Sequence, residues 1–311
     1  MASEPSLPPE LEREIFEISA VRHPRMAPVL VRVARRVLVW SVVLRSMTML
    51  IPMSSDVRIE PFLYRAILVN NSRRASTFLK AIKIKGPAFA DAVRHLRFDP
   101  HASAILLVDD AANVLKLCKG VTNFATLGRF TNPTLLPVLA TMHIQRLVVR
   151  LSDLFGGRHA IDLAHPLFMT ITHLDILEPL LDSDVALDIC PALPALPALT
   201  HLCLGTMTSS TTLWTTLDML LADCARLQLL AVLWPKHTAS SDVMLASTPL
   251  RDVRLVMGLD RNISVDWAAG ATGLPNFWTE AESFVARKRS GEISGMIFKL
   301  YSTLRKALTW A

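Results

Sequence analysis

One short phrase constrains how this chain can fold: apolar, two residues, apolar, one residue, apolar. Seven copies lie between Val93 and Leu255. They are Val93-Leu96-Phe98, Val121-Phe124-Thr126, Ile144-Leu147-Val149, Ile171-Leu174-Ile176, Leu199-Leu202-Leu204, Leu227-Leu230-Val232 and Leu250-Val253-Leu255. Their first positions step by 28, 23, 27, 28, 28 and 23 residues. Steps of this size mark a leucine-rich type of solenoid, in which each unit supplies one strand and a helical return and needs its neighbours to bury its core. Such an array makes a binding surface and rarely an enzyme.

The connectors agree with that register. Ala104 to Cys118 reads as a helix with Ile105, Val108, Ala112 and Leu115 on one side. Thr212 to Cys224 reads as another, with Leu213, Leu217, Leu220 and Leu221 inward. Leu135 to Met142 and Asp242 to Ala246 are shorter returns, and they fall where the two steps of 23 fall. Side chains alternate along a strand, so the residues between the apolar positions face the opposite, concave side. Those positions include Gln145, Val148, Cys203, Gln228, Ala231 and Asp252, and a polar, mildly basic set. From that set, His95, Arg97, Arg146, His173, Asp175, His201 and Arg254 are the expected target-binding residues of an exposed surface. It would suit a partner with some acidic character, and a hydrated face without a ligand fits the same residues.

Composition excludes several classes. The chain has 311 residues and is 51% apolar, enough to bury a sizeable core. The most apolar stretch, Val29 to Ile51, carries Arg32, Arg35, Arg36 and Arg45, which argues against a membrane-spanning helix. No secretory signal is expected, and the expected location is cytoplasmic or nuclear. The four cysteines, Cys118, Cys190, Cys203 and Cys224, lack metal or redox spacing and read as small buried hydrophobes. Net charge is +6, spread over short basic clusters poorly interleaved with aromatics, so a nucleic-acid partner is not expected. There is no P-loop, no dinucleotide glycine fingerprint and no nucleophile elbow, so no catalytic residue and no cofactor are expected. No H-E-x-x-H occurs either. His95, His173 and His201 occupy one phrase position, and stacked strands would bring His173 and His201 about 5 Å apart. They read as a surface ladder, with no metal assigned.

The opening segment has its own pattern. Pro8 and Pro9 fit a helix start, with Glu10, Glu12 and Glu14 near its positive end. Leu11, Ile15 and Ile18 form an apolar stripe. A second helix follows from Pro28, with Val29, Leu30, Val33, Val37 and Trp40 on its apolar side. Leu7-Pro8-Pro9-Glu10-Leu11, Ile15-Phe16 and the run Leu30 to Trp40 resemble the F-box of basidiomycete F-box-like proteins. In that family the third helix continues into a phrase like Ile59-Glu60-Pro61-Phe62-Leu63-Tyr64-Arg65. Here the 18 residues Ser41–Arg58 stand between. Their length is that of a short fungal intron, so they read either as a retained intron in the gene model or as an extended loop or helix.

The resemblance implies a fold and a role. The expected fold class is α/β: an irregular leucine-rich-repeat-like solenoid of about seven strand-helix units with a parallel sheet. An N-terminal α-helical F-box-like module would span 1–67, the solenoid 68–258 and a helical C-terminal cap 259–311. The module would dock the Skp-type adaptor of a cullin-RING ubiquitin ligase through Leu7, Pro8, Pro9, Leu11, Ile15 and Phe16, and the solenoid would hold an unknown protein target. The cap contains Asp266-Trp267, Asn276-Phe277-Trp278, a helix from Glu280 to Arg289 and a helical pattern from Ile293 to Thr309. Phe284 and Val285 are expected to pack on the solenoid's end. The alternative is a stand-alone repeat scaffold, or a non-functional product of a mis-spliced gene.

Overall fold

The computed structural model describes residues 64–99, 108–178, 188–205, 211–234, 249–259, 261–294 and 297–298, with residues 15, 18 and 19. The expected Ser41–Arg58 insert and the Asp242–Ala246 return lie outside these. Among the described residues, nine strands form one sheet in chain order, and every pair is parallel. They are β1 (Ala66–Val69), β2 (His95–Phe98), β3 (Asn123–Thr126), β4 (Arg146–Val149), β5 (His173–Ile176), β6 (His201–Gly205), β7 (Leu229–Trp234), β8 (Leu255–Leu259) and β9 (Ile297–Phe298). The fold is therefore α/β with an all-parallel sheet. β1 and β9 add a strand at each end of the expected set.

The register explains why the phrase works. Ile67, Leu96, Phe124, Leu147, Leu174, Leu202, Leu230 and Leu255 align strand by strand. From Leu96 onward this ladder is buried. Val149, Ile176, Leu204, Val232 and Met257 form a second ladder two residues on. Burying each such side chain contributes about 1.5–3 kcal/mol, and a slip of one residue would turn both ladders out of the core.

The returns cover this first face. They include α1 (Ser72–Lys85), α2 (Pro87–Ala92), α3 (Val108–Leu117), α4 (Leu136–Leu139), α5 (Leu151–Phe155) and α6 (Thr211–Asp223). Asn71 caps α1 by accepting from the Arg74 amide at 2.9 Å. Leu213, Leu217, Leu220 and Leu221 of α6 are buried, as their spacing predicts. The short return before β4 runs through two 3₁₀ turns, Gly128–Phe130 and Pro133–Leu135, and α4.

The last phrase is misread by sequence. Leu255, not Val253, pairs with Leu230. The seventh unit is therefore centred on Asp252-Leu255-Met257, and Val253 is 41% exposed. The Leu250-Val253-Leu255 spacing mimics the phrase because Asp252 occupies its first apolar position. Arg254 consequently lies on the rim before β8. Its guanidinium pairs with Asp252 at 2.7 Å and donates to the carbonyls of Leu221 and Leu227.

The C-terminal helices also depart from expectation. α7 (Ile263–Ala271) and α8 (Phe277–Arg289) lie on the second face of the sheet, not at its end. Asn262 caps α7, and Asn276 forms a capping box with Thr279 on α8. Gly270 lets the two helices meet: a Cβ there would sit 2.1 Å from the Asn276 amide nitrogen. Ile297–Phe298, expected to be helical, instead extends the sheet beside β8.

Candidate functional site

The second face carries the residues that sequence assigns to a target. Small and apolar side chains let the helices close on it. Trp267 and Ala271 of α7 pack with Ala125 and Val148. Phe277, Trp278, Ala281 and Val285 of α8 pack with Cys203, Leu229, Ala231, Leu233 and Val256. The expected exposed surface is thus covered by the chain's own C-terminal helices. Arg97 is 2%, Asp175 3% and His201 6% exposed. His95, Arg146 and His173 are partly buried. A parallel sheet is stable when both faces are covered, and apolar groups on this face supply the reason here.

Charged groups between the layers are paired. Arg261, just before α7, binds Asp175 of β5 and reaches Asp266 at 3.1 Å. Its guanidinium stacks on the Phe277 ring at 4.2 Å and donates to Cys203 Sγ at 3.5 Å. Burial works against the Arg261 charge, but Asp175, Cys203 and Asp266 outweigh it and hold its pKa above the ordinary arginine value. Asp266 also accepts from the Phe277 amide, which joins α7 to the start of α8. Nearer β1, Arg97 pairs with Asp99 at 2.7 Å and donates to Ser264 of α7 at 2.9 Å.

A second cluster sits beneath α8. His173 and His201 pair across β5 and β6, and their rings stack 4.1 Å apart at 3°. Trp278 meets both rings edge-on, at 5.3 and 5.8 Å. Glu282 Oε1 lies 3.2 Å from His201 Nε2 and 3.9 Å from His173 Nε2. Burial, then His201 and Arg146, pushes His173 down to about 2. Burial, then Arg146, pushes His201 down to about 4. The two imidazoles and the carboxylate are the described residues whose grouping could hold a metal ion.

Two cavities border this face. One of about 20 Å³ is lined by Asn123, Arg146, His173, Asp175, Arg261 and Trp278, among others. It has room for a water or an ion and none for a substrate of ordinary size. The other, about 770 Å³, lies beside β1 between α1 and α7, with Tyr64, Ile67, Arg73, Arg74, Phe78 and Trp267 on its walls. The four cysteines are all buried and free. Burial raises the Cys118 and Cys190 thiols to about 12 and Cys224 to about 11, so none is an activated nucleophile.

The structure brings His173, Asp175 and His201 together, with Arg146 the next strand over from His173. It separates Arg254 from them. Leu7, Pro8, Pro9, Leu11 and Phe16 lie outside the described residues, while Ile15 is helical and 50% exposed. Sequence reasoning missed Arg261, Ser264, Trp278 and Glu282 as partners of the sheet. No family model matches the chain, and neither a curated protein nor a solved structure matches it significantly. Among the described residues no helix is long and apolar enough to cross a membrane.

Proposed function

We propose that this chain is a non-catalytic protein–protein interaction protein of leucine-rich-repeat-like type. Its best-supported role is the substrate-recognition subunit of a cullin-RING ubiquitin ligase in the cytoplasm or nucleus. The observation that carries the repeat reading is the in-register parallel sheet built from one recurring phrase. The ligase link rests on the F-box resemblance of Leu7–Arg65. Because α7 and α8 cover the second face, target contacts move to surfaces that remain open. The cavity beside β1 offers two arginines and four aromatic side chains, Phe89 among them, a composition common at interface centres. A target segment with apolar and acidic side chains fits it.

A pull-down with a Skp-type adaptor tests the ligase link. Binding by the wild-type chain that vanishes in Leu11→Asp/Ile15→Asp, with the circular-dichroism spectrum unchanged, supports it. No binding by the wild-type chain or by a chain lacking Ser41–Arg58 refutes it. The second reading, a stand-alone repeat scaffold, is favoured by the covered second face, which removes the surface a recognition solenoid ordinarily presents. A retained intron in the gene model would instead show Ser41–Arg58 absent from mature transcripts.

A further inference from the structure

We propose that His173, His201 and Glu282 bind one divalent transition-metal ion of the zinc class, which clasps α8 to the sheet. The three ligand atoms come from β5, β6 and α8 and lie within 4.8 Å of one another. Two imidazoles and a carboxylate are a donor set that zinc favours.

The hydrogen bonds around the rings fix which nitrogen is available. Thr200 Oγ1 donates its single proton to the Thr172 carbonyl at 3.1 Å. At 2.8 Å it must therefore accept from His201 Nδ1. Thr172 repeats the arrangement, donating to the Gln145 carbonyl at 3.0 Å and accepting from His173 Nδ1 at 2.9 Å. Both rings thus carry their proton on Nδ1 and turn a bare Nε2 toward α8. A metal-binding histidine is held in this way by a partner on its other nitrogen.

The bare Nε2 of His201 then faces a carboxylate oxygen at 3.2 Å. Two acceptors at that distance repel unless a cation lies between them. His173 Nε2 is buried and has no hydrogen-bond partner. A proton is the rival occupant. With Nδ1 already carrying the ring proton, a second proton on either ring would have to sit beside the other ring, stacked 4.1 Å away. A metal ion can be bound by three such ligands at once, which a proton cannot.

Two features set the cost. Arg146 pairs with His173 across β4 and β5, and its charge opposes any cation; the Glu282 carboxylate offsets it. Zinc ligands sit about 2.0–2.1 Å from the metal, so the rings, now 3° from parallel, must splay to aim both lone pairs at one point. Glu282 is 45% exposed and can adjust, and its solvent side leaves room for a water as fourth ligand.

The test uses the untagged full-length chain, stripped with a chelator and titrated with Zn²⁺ by calorimetry and with Co²⁺ by visible absorption. One saturable site per chain is expected, with the absorption of a four-coordinate cobalt ion. Glu282→Gln and His201→Asn should remove it. Thr200→Val, which keeps every ligand, should weaken it about 10–100-fold. His143→Asn and His159→Asn, at exposed positions, should leave it unchanged. Should His201→Asn fail to fold, Glu282→Gln at its half-exposed position still decides. No saturable uptake, or uptake unaltered by Glu282→Gln, overturns the assignment.

Discussion

Replacing Arg261 with alanine should detach the C-terminal helices from the sheet. The side chain is almost fully buried, at 6% exposure, and its partner Asp175 is at 4%. Alanine strips Asp175 of its buried ion-pair partner, where burial already raises its carboxyl, and takes from Asp266 its 3.1 Å contact. Breaking a buried pair by removing one partner costs about 3–5 kcal/mol. Loss of the stacking on Phe277 at 4.2 Å belongs to the same perturbation. Taking about 4 kcal/mol against a typical total of 5–15 kcal/mol leaves a marginal protein. With a urea slope of about 3 kcal/mol/M, the unfolding midpoint should fall by roughly 1.3 M. Hydrogen exchange should show α7 and α8 amides losing protection first. The double variant Arg261→Met/Asp175→Leu removes both charges together and should be less destabilised than Arg261→Ala. A loss below about 1 kcal/mol in the single variant, or a double variant as unstable as the single, would refute the claim that a buried acid left without its ion-pair partner is what matters.

Two other outcomes follow from the described geometry. In the chelator-stripped chain, stability should fall as pH drops from 6.5 toward 4, because His201 is held at about 4 when folded but titrates near 6.5 when unfolded. The unfolded chain takes up the extra proton in that window, a difference of about 3 kcal/mol by pH 4. His95, held at about 4 by burial first and then by Arg65, Arg146 and Arg94, acts in the same direction. Urea midpoints that match at pH 7 and pH 4.5 would contradict this, and His201→Gln should flatten the dependence. The corrected register of β8 predicts that Leu255→Ala, at a fully buried position, costs about 2–5 kcal/mol, whereas Val253→Ser is nearly neutral. Equal thermal shifts for the two would restore the register read from sequence.

Most of the sheet was legible because its period is carried by apolar side chains that must all face one way. Six of seven phrases pair as read. β1 escaped notice because Ala66-Ile67-Leu68-Val69 is a continuous apolar run, which has no alternation to reveal a strand. The seventh phrase failed because Asp252 breaks the pattern, while Leu250 two residues earlier restores it at the wrong place. The candidate site was half legible. The alignment of His173 with His201 follows from repeat spacing, but their burial depends on a helix that begins 76 residues after His201 and 104 after His173. A signal for that cover was present: Val148, Cys203 and Ala231 stand on the face taken to be hydrated. Small apolar residues in a row there ask for a partner, and the Trp267 and Phe277-Trp278 segments are what the chain supplies.

That cover has a consequence for how the protein is made. The bond from Arg97 to Ser264 spans 167 positions in the chain. At about 5–20 residues per second, a ribosome needs roughly 8–33 s to deliver the second partner after the first. Throughout that interval the strands can pair one after another, but their second side stays greasy and open. A nascent chain that stalls before residue 277 would therefore be sticky, a natural client for holding chaperones. A truncated product would be more hazardous to the cell than a missing one.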